Sequence, residues 1–109
     1  MTNFSDEELY SKGLEYYKNN ELDNSLDILI QIKKKNINKL KIISQIYLKK
    51  KDNKNAKIIL EKIISLDIAN SFALNFLGDI YKLEKNYVDA EKFYLKSIFY
   101  NEKFIPAFF

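Results

Sequence analysis

The sequence predicts an all-α fold in which antiparallel helix pairs stack into an array. The first observation is a motif that occurs twice. In chain order its two copies are Leu40, Ile43, Tyr47, Ala56 and Leu60, and Leu74, Leu77, Tyr81, Ala90 and Tyr94. The matched residues are 34 positions apart, as in 74 − 40 and 94 − 60, and such a period is typical of stacked helix-turn-helix units. The second observation is that only 2 Gly and 1 Pro occur in 109 residues, which leaves few sites for hairpin turns.

The first helix is predicted to span Asp6–Lys18. Ser5 can accept a hydrogen bond from the backbone N–H of Glu8, and the Glu8 side chain can reach back to the Ser5 backbone, which makes a capping box. Asn19 and Asn20 follow, and their side chains compete with helical hydrogen bonds and favour a turn.

The other helices follow from the spacing of apolar residues. The second is predicted over Leu22–Lys35, because Leu26, Leu29 and Ile32 continue one apolar face. We expect further helices at Ile37–Lys50, Asn53–Leu66, Ser71–Glu84 and Tyr87–Asn101, with Asn70 or Ser71 as the N-cap of the fifth.

These helices predict a single domain over residues 1–109, with units at about 6–36, 37–70 and 71–104 and a partial unit at 105–109. The first unit precedes the second by 31 positions (40 − 9, 56 − 25), so we expect a tighter connection near Lys35. The chain ends on apolar residues, although such arrays normally end on a polar face. Either the chain is a fragment, or a second copy covers this end. The residues predicted for self-association are Phe104, Ile105, Phe108 and Phe109.

Composition excludes several functions. The chain has no Cys and no His, which removes disulfides, thiol nucleophiles and the usual zinc ligands. We therefore expect no catalytic residues, no metal and no cofactor, and a protein that is not an enzyme. The net charge is only +3 and every basic residue is Lys, so the bidentate contacts that read nucleic acid are missing. The sequence shows no signal peptide and no apolar run of about 18 to 20 residues. We therefore expect a cytoplasmic protein that does not associate with a membrane.

At these residues the chain resembles the tetratricopeptide repeat (TPR) family. The matching positions are Leu74, Leu77, Gly78, Tyr81, Ala90 and Tyr94. The resemblance covers about residues 6–109 and implies a right-handed superhelical array. Departures from the family pattern include the lost Trp and Lys12 at an expected apolar position. A pentatricopeptide array that reads RNA, or a plain helical bundle, explains the matched pairs less well.

The resemblance implies that the first helix of each unit lines a concave groove that binds a peptide. In the third unit the residues around Asn75, Asp79 and Lys82 are apolar, so these three form one polar stripe. With the corresponding positions of the other units, the predicted peptide-binding residues are Tyr10, Leu14, Tyr17, Lys41, Gln45, Leu48, Asn75, Asp79 and Lys82. We refer to these nine as the groove residues. In unit one they are apolar and aromatic. In unit three they are polar and include one acidic and one basic side chain.

Other interpretations of the same residues remain open. The stripe could be merely solvated, with Tyr10 and Tyr17 packed on an N-terminal extension or on neighbouring side chains. One TPR subclass clamps the C-terminal carboxylate of chaperones with Lys, Asn and Arg. The matching positions here are Tyr10, Leu14, Ile42, Phe72 and Phe76, so the clamp is absent. The chain is therefore predicted to be a scaffold for a protein or peptide partner. The alternatives are a regulatory or targeting segment of a larger, enzymatic protein, or a self-associating scaffold.

Overall fold

In the computed structural model, which describes residues 4–103, the chain is built from six α-helices. They are α1 (Asp6–Lys18), α2 (Leu22–Leu29), α3 (Ile37–Lys49), α4 (Asn53–Leu66), α5 (Ser71–Leu83) and α6 (Tyr87–Lys103). Each odd-numbered helix packs on the helix that follows it, and the pairs contact each other through α2 with α3 and α4 with α5. The predicted all-α array of helix pairs is therefore confirmed. We call the three pairs units one, two and three.

The three turns inside the units have the same backbone geometry. Their middle residues, Asn20, Lys51 and Lys85, have φ angles of 61°, 60° and 62°. In the last of these turns, the Lys85 N–H bonds to the Lys82 carbonyl and the Asn86 N–H bonds to the Tyr81 carbonyl. This is the Schellman arrangement, which satisfies the last carbonyls of a helix and reverses the chain. The repeated turn brings the two helices of every unit together in the same way.

The N-terminal caps also follow from local sequence. Ser5 and Glu8 form the predicted capping box at the start of α1. Asn70, one of the two predicted candidates, caps α5 by accepting a hydrogen bond from the Ala73 N–H. Asn36 and Asp52 cap α3 and α4 in the same manner. Because these bonds satisfy N–H groups that have no helical partner, they fix where each helix begins.

The prediction of a second helix over Leu22–Lys35 was wrong at its C-terminal end. The helix ends at Leu29, and the backbone N–H groups of Lys33 and Lys34 instead bond to the Asp6 carboxylate, at 3.4 and 3.3 Å. The connection therefore crosses to the start of α1 before α3 begins. Smaller differences occur in other helices: α3 and α5 each end one residue earlier than expected, and α6 continues to Lys103.

The core consists of two clusters that share the second unit. One is centred on Leu60, Ile63 and Leu77, and the other on Leu29 and Ile46, all fully or almost fully buried. Tyr47 and Ile59 pack against both clusters, so the core is continuous along the array.

Small residues allow the two helices of a unit to approach closely. A Cβ atom on Gly13 would lie 2.6 Å from Leu29 Cγ, and one on Gly78 would lie 2.6 Å from Tyr94 Cε1. The buried Ser25 hydroxyl donates a hydrogen bond to the Gly13 carbonyl at 2.6 Å. Side chains of the second helix therefore occupy the space that a Cβ would need.

Lys12, which departs from the repeat pattern, has a structural explanation. It corresponds to Ile43 of α3, which is buried against the preceding unit. Among the described residues no helix precedes α1, and Lys12 is exposed, with its ammonium group 4.9 Å from the centre of the Phe4 ring. The polar side chain therefore suits the exposed position that Lys12 has on α1.

Candidate functional site

The first helices of the three units are joined by two cation–π contacts. Lys49 of α3 lies over the Tyr17 ring of α1, with its Nζ 4.4 Å from the ring centre. Lys41, near the other end of α3, lies over the Phe72 ring of α5 at 5.3 Å. Each such contact contributes about 0.5–1 kcal/mol at an exposed site. Since α3 contacts both neighbours in this way, α1, α3 and α5 present one continuous face, which we call the first-helix face.

The groove residues on α1 lie partly inside the core. Tyr10, Leu14 and Tyr17 are half-buried and pack against the cluster of units one and two. Their remaining surface is apolar or aromatic, so this end of the first-helix face offers contacts to apolar side chains. The packing on neighbouring side chains that was left open for Tyr10 and Tyr17 does occur, but it leaves part of each ring exposed.

The groove residues become more exposed toward α5. Lys41, Gln45 and Leu48 of α3 are half-buried, and Leu48 packs against the cluster of units two and three. The three polar residues predicted on α5 are all exposed, and they are Asn75, Asp79 and Lys82. The first-helix face thus changes from packed aromatic groups to exposed amide and charged groups along the array.

Asp79 is held by a residue of the second helix of its own unit. The Tyr94 hydroxyl donates a hydrogen bond to Asp79 Oδ1. This bond, together with partial burial and the nearby negative charge, raises the pKa of Tyr94 to about 12. The carboxylate is therefore oriented in the absence of a ligand, and one of its acceptor sites is already used.

Two phenylalanines extend the apolar surface beside Lys41. Phe72 and Phe76 pack against each other with ring centres 4.7 Å apart, and both are half-buried against the core. Ile42, another position of the carboxylate clamp, is buried. Aromatic and aliphatic groups thus occupy the positions at which the clamp subclass carries Lys, Asn and Arg.

A cleft of about 670 Å³ lies where α1 and α3 begin. Tyr10, Ile32 and Ile37 contribute apolar surface to it, and Asp6 and Lys35 contribute charges of opposite sign. Of the groove residues, Tyr10 lines this cleft, so the aromatic end of the first-helix face continues into a concave surface.

Sequence reasoning missed the contacts that link these residues across helices. Tyr94 lies at the position where the family pattern has Phe. Its additional hydroxyl group requires a polar partner, and from this requirement a polar contact of Tyr94 could have been predicted. Nothing in the local sequence near Lys49 or Phe72 indicated that they would contact Tyr17 and Lys41, because these pairs are far apart in the chain.

Some predicted residues and groups lie beyond what the structure describes. Phe104, Ile105, Phe108 and Phe109, predicted for self-association, are outside the described residues.

Within residues 4–103 no cluster of three or more acidic side chains is arranged to hold a metal ion. No helix of that part is long and apolar enough to cross a membrane.

Two comparisons with known proteins bear on this arrangement. A family model described as Tetratricopeptide repeat matches residues 42–69, which include the C-terminal part of α3 and all of α4. A search of the curated proteins returned no match. The matched segment covers most of the second unit, which contributes residues to both core clusters.

Proposed function

We propose that this chain, which carries a tetratricopeptide repeat, is an interaction module that binds a peptide or protein partner along its first-helix face. Tetratricopeptide repeats generally mediate protein–protein interaction, and arrays of helical repeats use the extended surface formed by their stacked units. We further propose that the groove residues form the surface to which the partner binds.

The observation that carries this proposal is the continuity of the first-helix face. The Lys49–Tyr17 and Lys41–Phe72 contacts join its three helices, and exposed Asp79 and Lys82 lie on one stripe at its polar end. A partner with an apolar side chain would bind near Tyr10 and Tyr17, which are only half-buried. Polar groups of the partner would pair with the α5 stripe and fix its direction.

The best support for a role of Asp79 is that its orientation is set before binding. Because the Tyr94 hydroxyl already holds Asp79 Oδ1, the second carboxylate oxygen presents a fixed acceptor to a donor on the partner. A preorganised group loses less conformational freedom on binding than a mobile one. A partner with a Lys, an Arg or a backbone N–H at this point is therefore favoured.

Two substitutions test the proposal once a binding peptide has been selected from a displayed library. Tyr17→Ala removes the aromatic end, and Asp79→Lys reverses the charge at the polar end. We expect each to weaken binding by about tenfold or more, which corresponds to about 1.4 kcal/mol. Fluorescence anisotropy with the labelled peptide measures the dissociation constant, and circular dichroism checks the fold.

Matched controls are available on other surfaces of the chain. Tyr87→Ala removes an exposed tyrosine of α6, and Glu61→Lys reverses an exposed charge of α4. Both should leave the affinity unchanged. If the two groove variants fold normally and bind the peptide as tightly as the wild type, the first-helix face is not the binding site.

A further inference from the structure

The side of α6 that points away from α5 carries an apolar stripe. Val88, Leu95 and Phe99 are 80%, 55% and 51% exposed. At 100° per residue they lie on the opposite side of the helix from Ala90 and Ser97, which are buried. We call Val88, Leu95 and Phe99 the α6 stripe.

The repeat register shows that this stripe is specific to the third unit. The residues of α4 that stand 34 positions earlier are Lys54, Glu61 and Ser65, and all three are exposed and polar. The corresponding side of α4 is therefore an ordinary solvated surface. Three apolar residues in place of three polar ones give α6 an apolar face that the equivalent helix of unit two lacks.

The stripe also differs from the surface through which one unit contacts the next. On α4 that contact uses Lys57, which binds Glu84, and Ile64, which packs against the core of units two and three. Their counterparts on α6 are Glu91 and Ile98, which lie to one side of the stripe. The α6 stripe is thus separate both from the junction between units and from the first-helix face.

We propose that two copies of the chain associate through the α6 stripe, with their α6 helices antiparallel about a twofold axis. Together with Lys92, the stripe has the spacing 88, 92, 95 and 99, which alternates four and three residues as in the seam of a coiled coil. In the antiparallel register, Val88 lies level with the partner's Phe99, and Lys92 lies level with the partner's Leu95. The aliphatic part of Lys92 covers apolar surface while its ammonium group stays in water.

The charges beside the stripe favour this orientation. Asp89 and Lys96 lie on the same flank of α6, so the twofold axis places Asp89 beside the partner's Lys96 and repeats the pair symmetrically. On the other flank Glu91 meets the partner's Ile98, so like charges are not opposed. A parallel pairing would instead place Lys92 against its own copy, which is repulsive.

The outer side of α1, the first helix that the structure describes, does not match the α6 stripe for a head-to-tail contact. The outer side of α1 presents Ser11, Lys12 and Glu15, which are exposed and polar. By contrast, the α6 stripe lines a shallow cleft of about 720 Å³ together with Lys92 and Tyr100. The apolar surface is therefore best covered by the same surface of a second copy.

The test uses the full chain in sedimentation equilibrium and light scattering. The variant Val88→Lys, Leu95→Glu, Phe99→Ser gives α6 the outer residues of α4, so it should fold normally. We expect a dimer for the wild type and a dissociation constant raised by at least about 100-fold for the variant. A wild-type chain that is monomeric at millimolar concentration, or a folded variant that dimerises as well as the wild type, overturns the proposal.

A second full-chain variant separates this surface from the terminal residues predicted for self-association. It replaces Phe104, Ile105, Phe108 and Phe109 by Ser. The α6 stripe predicts that this variant dimerises like the wild type. Dimerisation that is lost here but retained in the α6 variant would assign the contact to the terminal residues and reject the stripe.

The orientation is tested by reversing one charge of the flanking pair in each of two preparations. Lys96→Asp and Asp89→Lys should each weaken the homodimer, because each places like charges together. Mixed in equal amounts, they should form a heterodimer in which both flanking pairs are again opposite, detected by energy transfer between labelled copies. Equal energy transfer in the mixture and in each separate preparation would contradict the antiparallel arrangement.

Discussion

The Tyr94 hydroxyl of α6 donates a hydrogen bond to the Asp79 carboxylate of α5, and this bond raises the pKa of Tyr94 from 10.0 to about 12. The unfolded chain therefore releases the Tyr94 proton at lower pH than the folded chain. Where the unfolded state binds fewer protons, stability falls as the pH rises. The contribution of this bond is fully present below pH 10 and is lost as the pH approaches 12.

We expect the stability difference between the wild type and Tyr94→Phe to disappear over that pH range. The free energy of unfolding, measured with urea at several pH values, gives this difference while the titration of other groups cancels. Tyr87→Phe, which removes the hydroxyl group of an exposed tyrosine of α6, is the control for the substitution itself. A difference that stays constant up to pH 12 would mean that Tyr94 does not hold its proton through Asp79.

The contact between Gly13 and Leu29 predicts a strongly position-dependent effect of adding one methyl group. Because Leu29 is fully buried, it has little room to move when a Cβ is placed 2.6 Å from its Cγ. Gly13→Ala should therefore destabilise the chain by about 1–3 kcal/mol, even though Ala favours helix. Urea unfolding followed by circular dichroism measures the change.

Ser44 provides the matched control because it occupies the same repeat position in unit two and already has a Cβ atom. Its buried hydroxyl donates a hydrogen bond to the Lys41 carbonyl at 2.7 Å. Ser44→Ala removes only this bond and should cost no more than about 1.5 kcal/mol. If Gly13→Ala proves neutral or stabilising, the helices of unit one are less closely packed than described.

The turn residue Lys85 predicts a stabilising substitution. Its φ angle of 62° is costly for a residue with a Cβ and costs Gly nothing. Lys85→Gly should therefore raise the free energy of unfolding by about 0.5–1 kcal/mol, after allowance for the greater freedom of Gly in the unfolded chain. Thermal unfolding of the variant and the wild type gives the comparison.

Asn20→Gly is the control for this substitution, since Asn20 has the same φ angle but Asn tolerates it better than Lys. The gain at position 20 should be smaller than that at position 85. Equal gains at both positions would indicate that Asn is as strained as Lys in this turn, and no gain at position 85 would contradict the strain interpretation.

The parts of the fold that sequence reasoning predicted are those determined by neighbours in the chain. The start of α1 depends on Ser5 and Glu8, three residues apart, and the apolar period of α4 lies within its own 14 residues. The end of α2 could not be found in this way. It depends on Asp6, which bonds to the Lys33 and Lys34 N–H groups, 27 and 28 residues away.

The same distinction applies to the candidate site. The repeat register gave the positions of the groove residues, and it identified Asp79 as part of a polar stripe. It did not give the partners of those residues. Tyr94, Lys49 and Phe72 reach them from other helices, so their contacts depend on how the helices are stacked, which the spacing within one helix does not specify.

Each of the two junctions between units carries an ion pair, and the two pairs have opposite polarity. Asp23 of α2 binds Lys50 at the end of α3, whereas Lys57 of α4 binds Glu84 at the end of α5. In each junction the second helix of one unit is joined to the C-cap residue of the next first helix. If these ion pairs fix the packing at the junctions, the stability of the chain should depend on the two charges being opposite. It should depend less on which of the two helices carries the positive charge.

Exchanging the charges of the second pair tests this expectation. Glu84→Lys alone places two ammonium groups together and should destabilise the chain by about 1 kcal/mol or less, because both side chains are partly exposed. Adding Lys57→Glu should recover most of this loss. The recovery should be incomplete, because Lys57 also lies over the Tyr81 ring at 5.1 Å and a carboxylate cannot make that contact.

A double-mutant cycle on the free energies of unfolding gives the coupling between the two positions. The coupling should be largest at low ionic strength and should shrink as salt is added, because salt screens partly exposed charges. The pKa of Lys57 is raised chiefly by its hydrogen bond to Glu84, so Glu84→Gln should lower that pKa toward its ordinary value. A coupling of zero at low salt, with both single variants folded, would mean that the packing of α4 on α5 is set by the apolar core alone.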